Sequence, residues 1–419
     1  MRNEEASERD EGHPGSSGSV GDRPVVYVHI GSPKSGTTYL QNTLWRNRKA
    51  LRRDGVLYPG PSHLFHFNAV SDLQNWAFEG FQDPAVPGAW DRLVAMVREW
   101  GGTSVVSHEN LCPAKPQHID RLMTDLDFAE VHVIYTARDL ARQIPAAWQE
   151  DLKNRHTLDF SDYMHSLRSP EDHPHPLARG FWDRQDAVEI LGRWGRSLPP
   201  RRVHVVTVPP AGSSPDLVWD RFAEVVGFDP ARYRGAATGA NSSMGVAESE
   251  LLRQLNLTLG EAVTWPTYSA SVKFYLAQEL LAGRPGSARV TLPEDEYPWV
   301  VNRSKDIIQG LRSSGYDVVG DLDELMPEEP LSRGMHPALD ESVTEQQLRA
   351  AIEGMSALID SVEDGRRKRR ELRNELSQRR RQPVKTIVRD LSESNRTLLR
   401  ARVAWWHTVE WLQGKSSRS

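Results

Sequence analysis

A strand, a glycine loop and a helix follow one another near the N-terminus, and this segment restricts the fold more than any other. Residues 25–44 read VVYVHIGSPKSGTTYLQNTL, an apolar run followed by small residues and then by an amphipathic pattern. Backbone N–H groups in such a turn, together with the start of the helix, form a site for a phosphate-like anion. The segment therefore predicts an anion-binding loop at the end of a buried strand.

The loop departs from the phosphate-binding pattern G-x-x-x-x-G-K-[ST] at one position. Gly31 and Gly36 satisfy the glycine spacing, but Thr37 stands where that pattern has its lysine, and Lys34 lies inside the loop instead. The lysine that bridges the β and γ phosphates of a nucleoside triphosphate is therefore missing. The chain has 43 arginines and only 9 lysines, which makes a lysine inside a glycine loop a candidate functional residue.

Four strand-like runs alternate with helical patterns along the first half of the chain, at residues 25–31, 104–109, 130–138 and 202–208. This alternation predicts an α/β fold, a P-loop-NTPase-like three-layer sandwich with a central parallel sheet and a helical C-terminal extension. We expect a disordered leader (1–23), an α/β domain (24–335) and a helical, basic extension (336–419). Ligands of such sheets bind outside the carboxyl ends of the strands, where GSPKSGTT, SHEN and ARD all lie.

Charge is distributed unevenly along the chain. The net charge is -5, yet residues 366–402 contain 14 Lys/Arg against 4 Asp/Glu, a net of +10. This basic tail and the tryptophans at 405, 406 and 411 suit peripheral contact with an anionic membrane surface, while specific nucleic-acid binding is not expected. With no apolar span and no signal-peptide core, we expect a cytoplasmic protein. The single cysteine, Cys112, predicts a buried thiol and no intramolecular disulfide.

The run PKSGTTYL resembles the 5′-phosphosulfate-binding loop of sulfotransferases that use 3′-phosphoadenosine 5′-phosphosulfate (PAPS). In that family the loop lysine contacts the bridging oxygen between phosphate and sulfate, which explains a lysine moved into the loop. The run VHVIYTARD is similar to the family's second signature, whose arginine, here Arg138, binds the 3′-phosphate. The resemblance implies a PAPS co-substrate, a 3′-phosphoadenosine 5′-phosphate (PAP) product, no metal, and a binding loop formed by Pro33, Lys34, Ser35, Gly36, Thr37 and Thr38.

The second signature is incomplete in this chain. The family has a serine eight residues after the arginine as a further 3′-phosphate ligand, and here that position is Ala146. Arg142 or Gln149, one helical turn to either side, would compensate. The usual C-terminal glycine-rich signature is also absent, and ANSSMG (240–245) is the comparable small polar loop. Through it we assign Asn241 and Gly245 to the 3′-phosphate.

A general base must accept the proton of the sulfuryl acceptor. In the family this base is a histidine or a glutamate, either at the strand end before the 3′-phosphate strand or after the first helix. VVSHENL offers His108 and Glu109, and GPSHLFHFN offers His63 and His66. We order the candidates Glu109, His66, His108. The alternative is that a carboxylate at this strand end only caps the next helix.

The predicted activity is transfer of a sulfuryl group from PAPS to a hydroxyl or amine of a small-molecule, glycan or lipid acceptor, with Lys34 stabilising the leaving phosphate oxygen. Two alternatives remain at this stage. One is a P-loop kinase or other phosphotransferase, against which the missing lysine before Thr37 argues. The other is a catalytically degenerate nucleotide-binding protein of the same fold, which the substitution at Ala146 favours.

Overall fold

A computed structural model describes residues 23–77, 80, 82–214, 216–233, 243–328 and 341–381, with the backbone alone at 341–343, 359, 360 and 374–381. Four predictions fall largely or wholly outside these residues: the leader, Asn241, the domain boundary between 335 and 336, and the tryptophan-containing end of the basic tail. The chain divides into two compact units, Met1–Ala350 and Ala351–Ser419.

Within the described residues, one six-stranded sheet forms the centre of the first unit, in the order β2-β3-β1-β4-β5-β6. All of its strand pairs are parallel. The strands are β1 (Val25–His29), β2 (Val56–Leu57), β3 (Thr103–Ser107), β4 (Glu130–Ala137), β5 (Val203–Thr207) and β6 (Asp317–Val319). The predicted parallel sheet and its four principal strands are confirmed. The two strands that the sequence did not predict, β2 and β6, lie at the edges.

Helices connect the strands and account for most of the remaining described chain. They are α1 (Thr37–Arg53), α2 (Phe65–Leu73), α3 (Ala89–Trp100), α4 (Pro116–Asp125), α5 (Leu140–Lys153), α6 (Phe160–Arg168), α7 (Pro176–Gln185), α8 (Ala187–Gly195), α9 (Leu217–Val226), α10 (Val246–Leu259), α11 (Trp265–Tyr268), α12 (Tyr297–Ser313) and α13 (Glu341–Arg381). A π-helix, Ser269–Leu281, follows α11 directly. The predicted helical C-terminal extension (336–419) is confirmed over Glu341–Arg381, the part that the structure describes, by α13.

Two apolar clusters cover the opposite faces of the sheet, because successive strand residues point to alternate sides. Val26 and Val28 of β1 belong to one cluster together with α5, which contributes Ile144 and Trp148. The other cluster contains residues of α1 and α9, together with Val105, Ile134 and Val206 from the strands. Helices on both faces of a parallel sheet give the predicted three-layer arrangement.

The strand order reverses at β1, which lies between β3 and β4. Ligands of open parallel sheets bind at such a reversal, outside the carboxyl ends of the strands. The segments that leave β1, β3 and β4 there are the glycine loop, the His108–Glu109 pair and the Arg138–Asp139 pair. The topology thus gathers most of the predicted site residues at one edge of the sheet.

Two further sequence expectations concern single features of the chain. The Cys112 thiol is fully buried, as predicted. Within the described residues, no helix has both the length and the apolar character needed to cross a membrane.

Candidate active site

The glycine loop, residues 31–36, joins the end of β1 to the start of α1. Gly31 and Gly36 have φ angles of 68° and 85°, in the left-handed region that favours glycine. A Cβ atom on Gly31 would lie 2.6 Å from Cγ2 of Thr37 and 3.3 Å from Cβ of Glu109. Position 31 therefore requires glycine for two reasons, its backbone angle and the close approach of the loop to α1 and to the end of β3.

Lys34 also adopts a left-handed conformation, with φ of 68°. For a residue with a side chain this conformation costs roughly 1 to 2 kcal/mol, and it persists only where the surroundings fix it. Arg138 supplies part of that support, because its Nη1 donates a hydrogen bond of 2.8 Å to the carbonyl oxygen of Lys34. The two residues with the strongest predicted roles are thus in direct contact.

Two buried glutamines hydrogen-bond to the backbone of the glycine loop. The carbonyl oxygen of Pro33 accepts hydrogen bonds from Nε2 of Gln143 (3.1 Å) and Nε2 of Gln185 (3.2 Å). The hydroxyl of Ser32 joins both side chains, at 2.8 and 2.9 Å. A trans peptide points its C=O and the following N–H in opposite directions, so the N–H of Lys34 points away from the glutamines. Sequence reasoning missed both residues.

Ser35 stabilises the loop rather than facing a ligand. Its N–H and its hydroxyl both donate to the carbonyl oxygen of Ser32, at 3.2 and 2.5 Å. The same hydroxyl lies 2.5 Å from Oγ1 of Thr136. This Thr136 oxygen in turn lies 3.4 Å from Nε2 of the buried His29. Its complete burial in this polar network argues against the predicted role of the Ser35 hydroxyl as a ligand.

The N-terminus of α1 is open to an anion. Its N-cap is Gly36, which provides no capping side chain, and its first turn contains no acidic residue. Thr37 is buried, whereas Thr38 is exposed to solvent. The N–H groups of Thr37 and Thr38, which have no acceptor within the helix, and the positive end of the helix dipole therefore face the loop region, as an oxyanion site requires.

The side chain of Lys34 reaches α5. Its Nζ lies 2.6 Å from Oε2 of Glu150, and Nζ of Lys273 lies 3.0 Å from the other carboxylate oxygen. Burial alone would raise the pKa of Glu150, but the charges of Lys34, Lys273 and Lys153 outweigh it and lower the pKa to about 2. Glu150 is therefore a carboxylate at neutral pH, and it neutralises the loop lysine.

Arg138 and Arg142 differ in what their guanidinium groups contact. Arg138 is half-buried at the end of β4, and burial together with the charge of Arg142 lowers its pKa to about 10. Arg142 pairs with the Asp139 carboxylate and donates to the carbonyl oxygen of Pro209 at 3.0 Å. Arg142 is thus engaged in joining α5 to the segment after β5, which disfavours its predicted role as a phosphate ligand.

The region expected to complete a 3′-phosphate site is packed differently from the prediction. Nε2 of Gln149 donates to the carbonyl oxygen of Met244 at 2.6 Å and to Ser249 Oγ at 3.0 Å. A Cβ on Gly245 would lie 2.6 Å from Cβ of Ser287, so this glycine permits close packing of two segments. Neither Gln149 nor Gly245 has the geometry of a ligand that replaces the missing hydroxyl at Ala146.

His66 cannot serve as the general base in this arrangement. Its Nε2 donates to the carbonyl oxygen of Pro59 at 2.7 Å, and its Nδ1 accepts from the N–H of Ser107 at 3.1 Å. Both ring nitrogens are therefore used by the backbone, and burial lowers the pKa of His66 to about 4. These contacts argue against His66 as the base and give the residue a structural role. His63, at the surface, lies 2.8 Å from Oδ1 of Asn42.

His108 is restricted by its own capping bond. Its Nδ1 accepts a hydrogen bond from the N–H of Asn110 at 3.1 Å, so the proton of the neutral ring is on Nε2. Burial lowers the pKa of this imidazole. In this tautomer neither ring nitrogen is free to take the proton of the sulfuryl acceptor. His108 is therefore a weaker candidate for the general base than Glu109.

Glu109 has the geometry of a base at the end of β3. Its Oε2 accepts a hydrogen bond from Nε2 of Gln41 at 2.8 Å, and its backbone lies against Gly31. Burial raises its pKa, but the positive charge that His108 gains in acid and the hydrogen bond from Gln41 outweigh this, and the net shift is downward. Glu109 is therefore ionised at neutral pH, and Oε1 accepts no hydrogen bond from another residue that the structure describes.

Other features of the described chain lie apart from this site. A polar cavity of ≈ 340 Å³ contains none of the predicted site residues; its lining includes Arg155, His156, Asp159, Asp162, His175 and Arg253. Among the described residues, no group of three or more His, Cys, Asp or Glu side chains is arranged to hold a metal ion.

Comparison with known proteins gives two structural neighbours. No protein-family model and no curated protein sequence matches the chain. A sulfotransferase from Alicyclobacillus acidocaldarius is similar over 59% of this chain and 98% of that chain, with 15% identity and a TM-score of 0.36. The sulfotransferase domain from the curacin biosynthetic pathway is similar over 52% of this chain and 81% of that chain, with 17% identity and a TM-score of 0.30. Similarities of this size do not by themselves assign an activity.

Proposed function

We propose that this chain is a PAPS-dependent sulfotransferase that acts on a hydroxyl or amine of a small-molecule, glycan or lipid acceptor. The observation that carries the proposal is the placement of Lys34. It lies inside the loop, held in a left-handed conformation by Arg138, while Thr37 begins α1 where a nucleoside triphosphatase has its lysine. A lysine so placed serves one leaving oxygen rather than a β,γ-phosphate pair.

The residues at this edge of the sheet have the charges and hydrogen-bonding groups needed to bind PAPS, the sulfuryl donor. The open N-terminus of α1, the outward N–H of Lys34 and the Lys34 ammonium provide donors for a phosphosulfate. Arg138, adjacent to the loop, is the candidate ligand for the 3′-phosphate. The fit is supported by Gly31, since any side chain there would fill the space between the loop, Thr37 and Glu109.

The reaction transfers one sulfuryl group between two oxygens, or from oxygen to nitrogen. The bond between sulfur and the phosphate oxygen breaks while a bond from sulfur to the acceptor atom forms. Lys34 stabilises the charge that develops on the leaving phosphate oxygen. Glu109 takes the acceptor's proton, for which it must be ionised, as its lowered pKa provides.

The kinase alternative receives little support from these residues. Thr37 stands where a kinase has its phosphate-binding lysine. The acidic residue that follows β4, Asp139, is also not free to bind Mg²⁺, because its Oδ1 accepts from the N–H of Arg142 at the start of α5 and its Oδ2 pairs with the Arg142 side chain. The binding-protein alternative is favoured by Ala146 alone.

The test is formation of PAP from PAPS in the presence of a panel of small hydroxyl, amine, glycan and lipid acceptors. We expect PAP formation that depends on one acceptor class and is lost in Lys34→Ala. Lys305→Ala, which removes an exposed lysine on α12, is the matched control and should retain activity. Equal PAP formation in wild type and Lys34→Ala, or none with any acceptor, would contradict the proposal.

A further inference from the structure

Two lysines contact one carboxylate beside the glycine loop, and the charge of a third acts on it from nearby. Glu150 contacts Lys34 at 2.6 Å and Lys273 at 3.0 Å, and Lys153 lies three positions further along α5, on the same helix face. Three of the nine lysines of the chain thus surround a single acidic side chain. We call Lys34, Glu150, Lys153 and Lys273 the lysine cluster, and its formal charge is +2.

Lys153 and Lys273 lie on two helices, α5 and the π-helix, whereas Lys34 lies in the glycine loop. Lys273 belongs to the π-helix Ser269–Leu281, whose Val272 and Leu276 are buried, and its Nζ also donates to Oδ1 of Asn154 at 2.7 Å. The side chains of Lys34, Glu150 and Lys273 are only 31, 29 and 19% exposed. π-Helical segments are rare in proteins, and the commoner single-turn ones frequently occur at functional sites.

Lys153 differs from the other two lysines because its ammonium makes no hydrogen bond or ion pair with any residue that the structure describes. Burial and the charges of Lys34 and Lys273 lower its pKa to about 8, against the attraction of Glu150. A half-buried ammonium that repels its neighbours is unfavourable unless an anion neutralises it. The cluster therefore has the electrostatics of an anion site in which Glu150 supplies only one of the negative charges required.

We propose that Lys153 and Lys273, together with Lys34, form a second oxyanion-binding site, separate from the N-terminus of α1, for a phosphate or sulfate group. Glu150 partly occupies this site in the absence of the ligand and competes with it. Two sources would supply the group, either the 3′-phosphate of the donor nucleotide, which the cluster would then bind together with Arg138, or a phosphate or sulfate on the acceptor. In both cases the group lies next to Lys34 and hence next to the proposed reaction centre.

Inorganic sulfate, titrated by calorimetry at pH 6.5 where Lys153 is protonated, tests the site whether or not the chain transfers sulfuryl groups. We expect Lys153→Met and Lys273→Met each to weaken sulfate binding about tenfold, the loss of one charge-assisted hydrogen bond. Lys305→Met removes one exposed positive charge outside the cluster and should bind sulfate like wild type. Glu150→Gln should bind sulfate more tightly, because the competing carboxylate is gone.

The source of the group is found by repeating the titrations with PAP and with adenosine 5′-phosphate. Weaker PAP binding in both lysine variants, with unchanged adenosine 5′-phosphate binding, assigns the site to the donor. Unchanged binding of both nucleotides, with weaker sulfate binding, assigns it to the acceptor. Melting temperatures show whether each variant folds. The proposal would be overturned if folded Lys153→Met and Lys273→Met bound sulfate as tightly as Lys305→Met does. Weaker sulfate binding in Glu150→Gln would also overturn it.

Discussion

Lys34 combines a left-handed backbone with an ammonium held by Glu150, so its side chain contributes little to the apolar core. We expect Lys34→Ala to lower kcat/KM for sulfuryl transfer by a factor of about 10² to 10³, the usual cost of losing one contact to a developing anion. Its melting temperature should stay within a few degrees of wild type. Transfer at the wild-type rate, measured as PAP formation, would remove Lys34 from the chemistry.

Glu109 and His66 were both candidate bases from sequence, and their contacts now separate them. Glu109→Gln should lower kcat by a factor of about 10² to 10⁴, the range for a lost general base, with the KM for PAPS little changed. His66→Gln keeps an acceptor and a donor for Ser107 and Pro59 and should retain most of the rate. A larger loss of kcat in His66→Gln than in Glu109→Gln would reverse the assignment.

At the scale of elements, the β1–loop–α1 unit depends on the close approach at Gly31. Gly31→Ala introduces a left-handed alanine and a Cβ only 2.6 Å from Thr37, so we expect a loss of about 2 to 4 kcal/mol in unfolding free energy, together with weaker PAP binding. Gly55→Ala is the matched control, because Gly55 has φ of +94° with nothing within 4 Å of the added Cβ. Urea unfolding of both variants should show the smaller loss for Gly55→Ala. Equal losses would mean that backbone angle alone decides the requirement at position 31.

Local patterns in the sequence predict the elements better than the contacts between them. The four main strands and the loop were predictable because apolar runs and glycine spacing are local features. The edge strands β2 and β6 have only two and three residues, too few to show alternation. Gln143 and Gln185 gave no signal, since they meet the loop from more than 100 positions away. Lys273 likewise meets Glu150 only through packing of the π-helix, and periodicity cannot show that both ring nitrogens of His66 are occupied.

At the scale of the whole molecule, buried titratable groups set the dependence of stability on pH. Burial lowers the pKa values of His29 and His66 to about 4, against an unfolded value near 6.5, so below pH 6.5 the unfolded chain binds protons that the folded chain does not. Stability is therefore lost as pH falls from 6.5 towards 4. Asp151 opposes this, because burial raises its pKa to about 7 and its contribution is lost as pH rises through that value.

Burial lowers the pKa of His108 as well, so at least three histidines act against one carboxyl group, and we expect the unfolding free energy to fall by at least about 2 kcal/mol between pH 6.5 and pH 4.5. His66→Gln removes one of these titrations and should make the fall over this interval smaller. Urea unfolding at the two pH values measures both slopes. A wild-type chain as stable at pH 4.5 as at 6.5, or the same slope in His66→Gln, would show that these imidazoles are not held neutral.

The central claim, a loop built for a phosphosulfate donor rather than for a nucleoside triphosphate, is tested most directly by calorimetric titration of the wild-type chain with PAP and, separately, with ATP and Mg²⁺. The account predicts that PAP binds at least about tenfold more tightly than ATP, a difference of roughly 1.4 kcal/mol or more. It also predicts that Arg138→Ala weakens PAP far more than adenosine 5′-phosphosulfate, which lacks the 3′-phosphate. Binding of ATP as tight as that of PAP, or no binding of PAP at all, would contradict it.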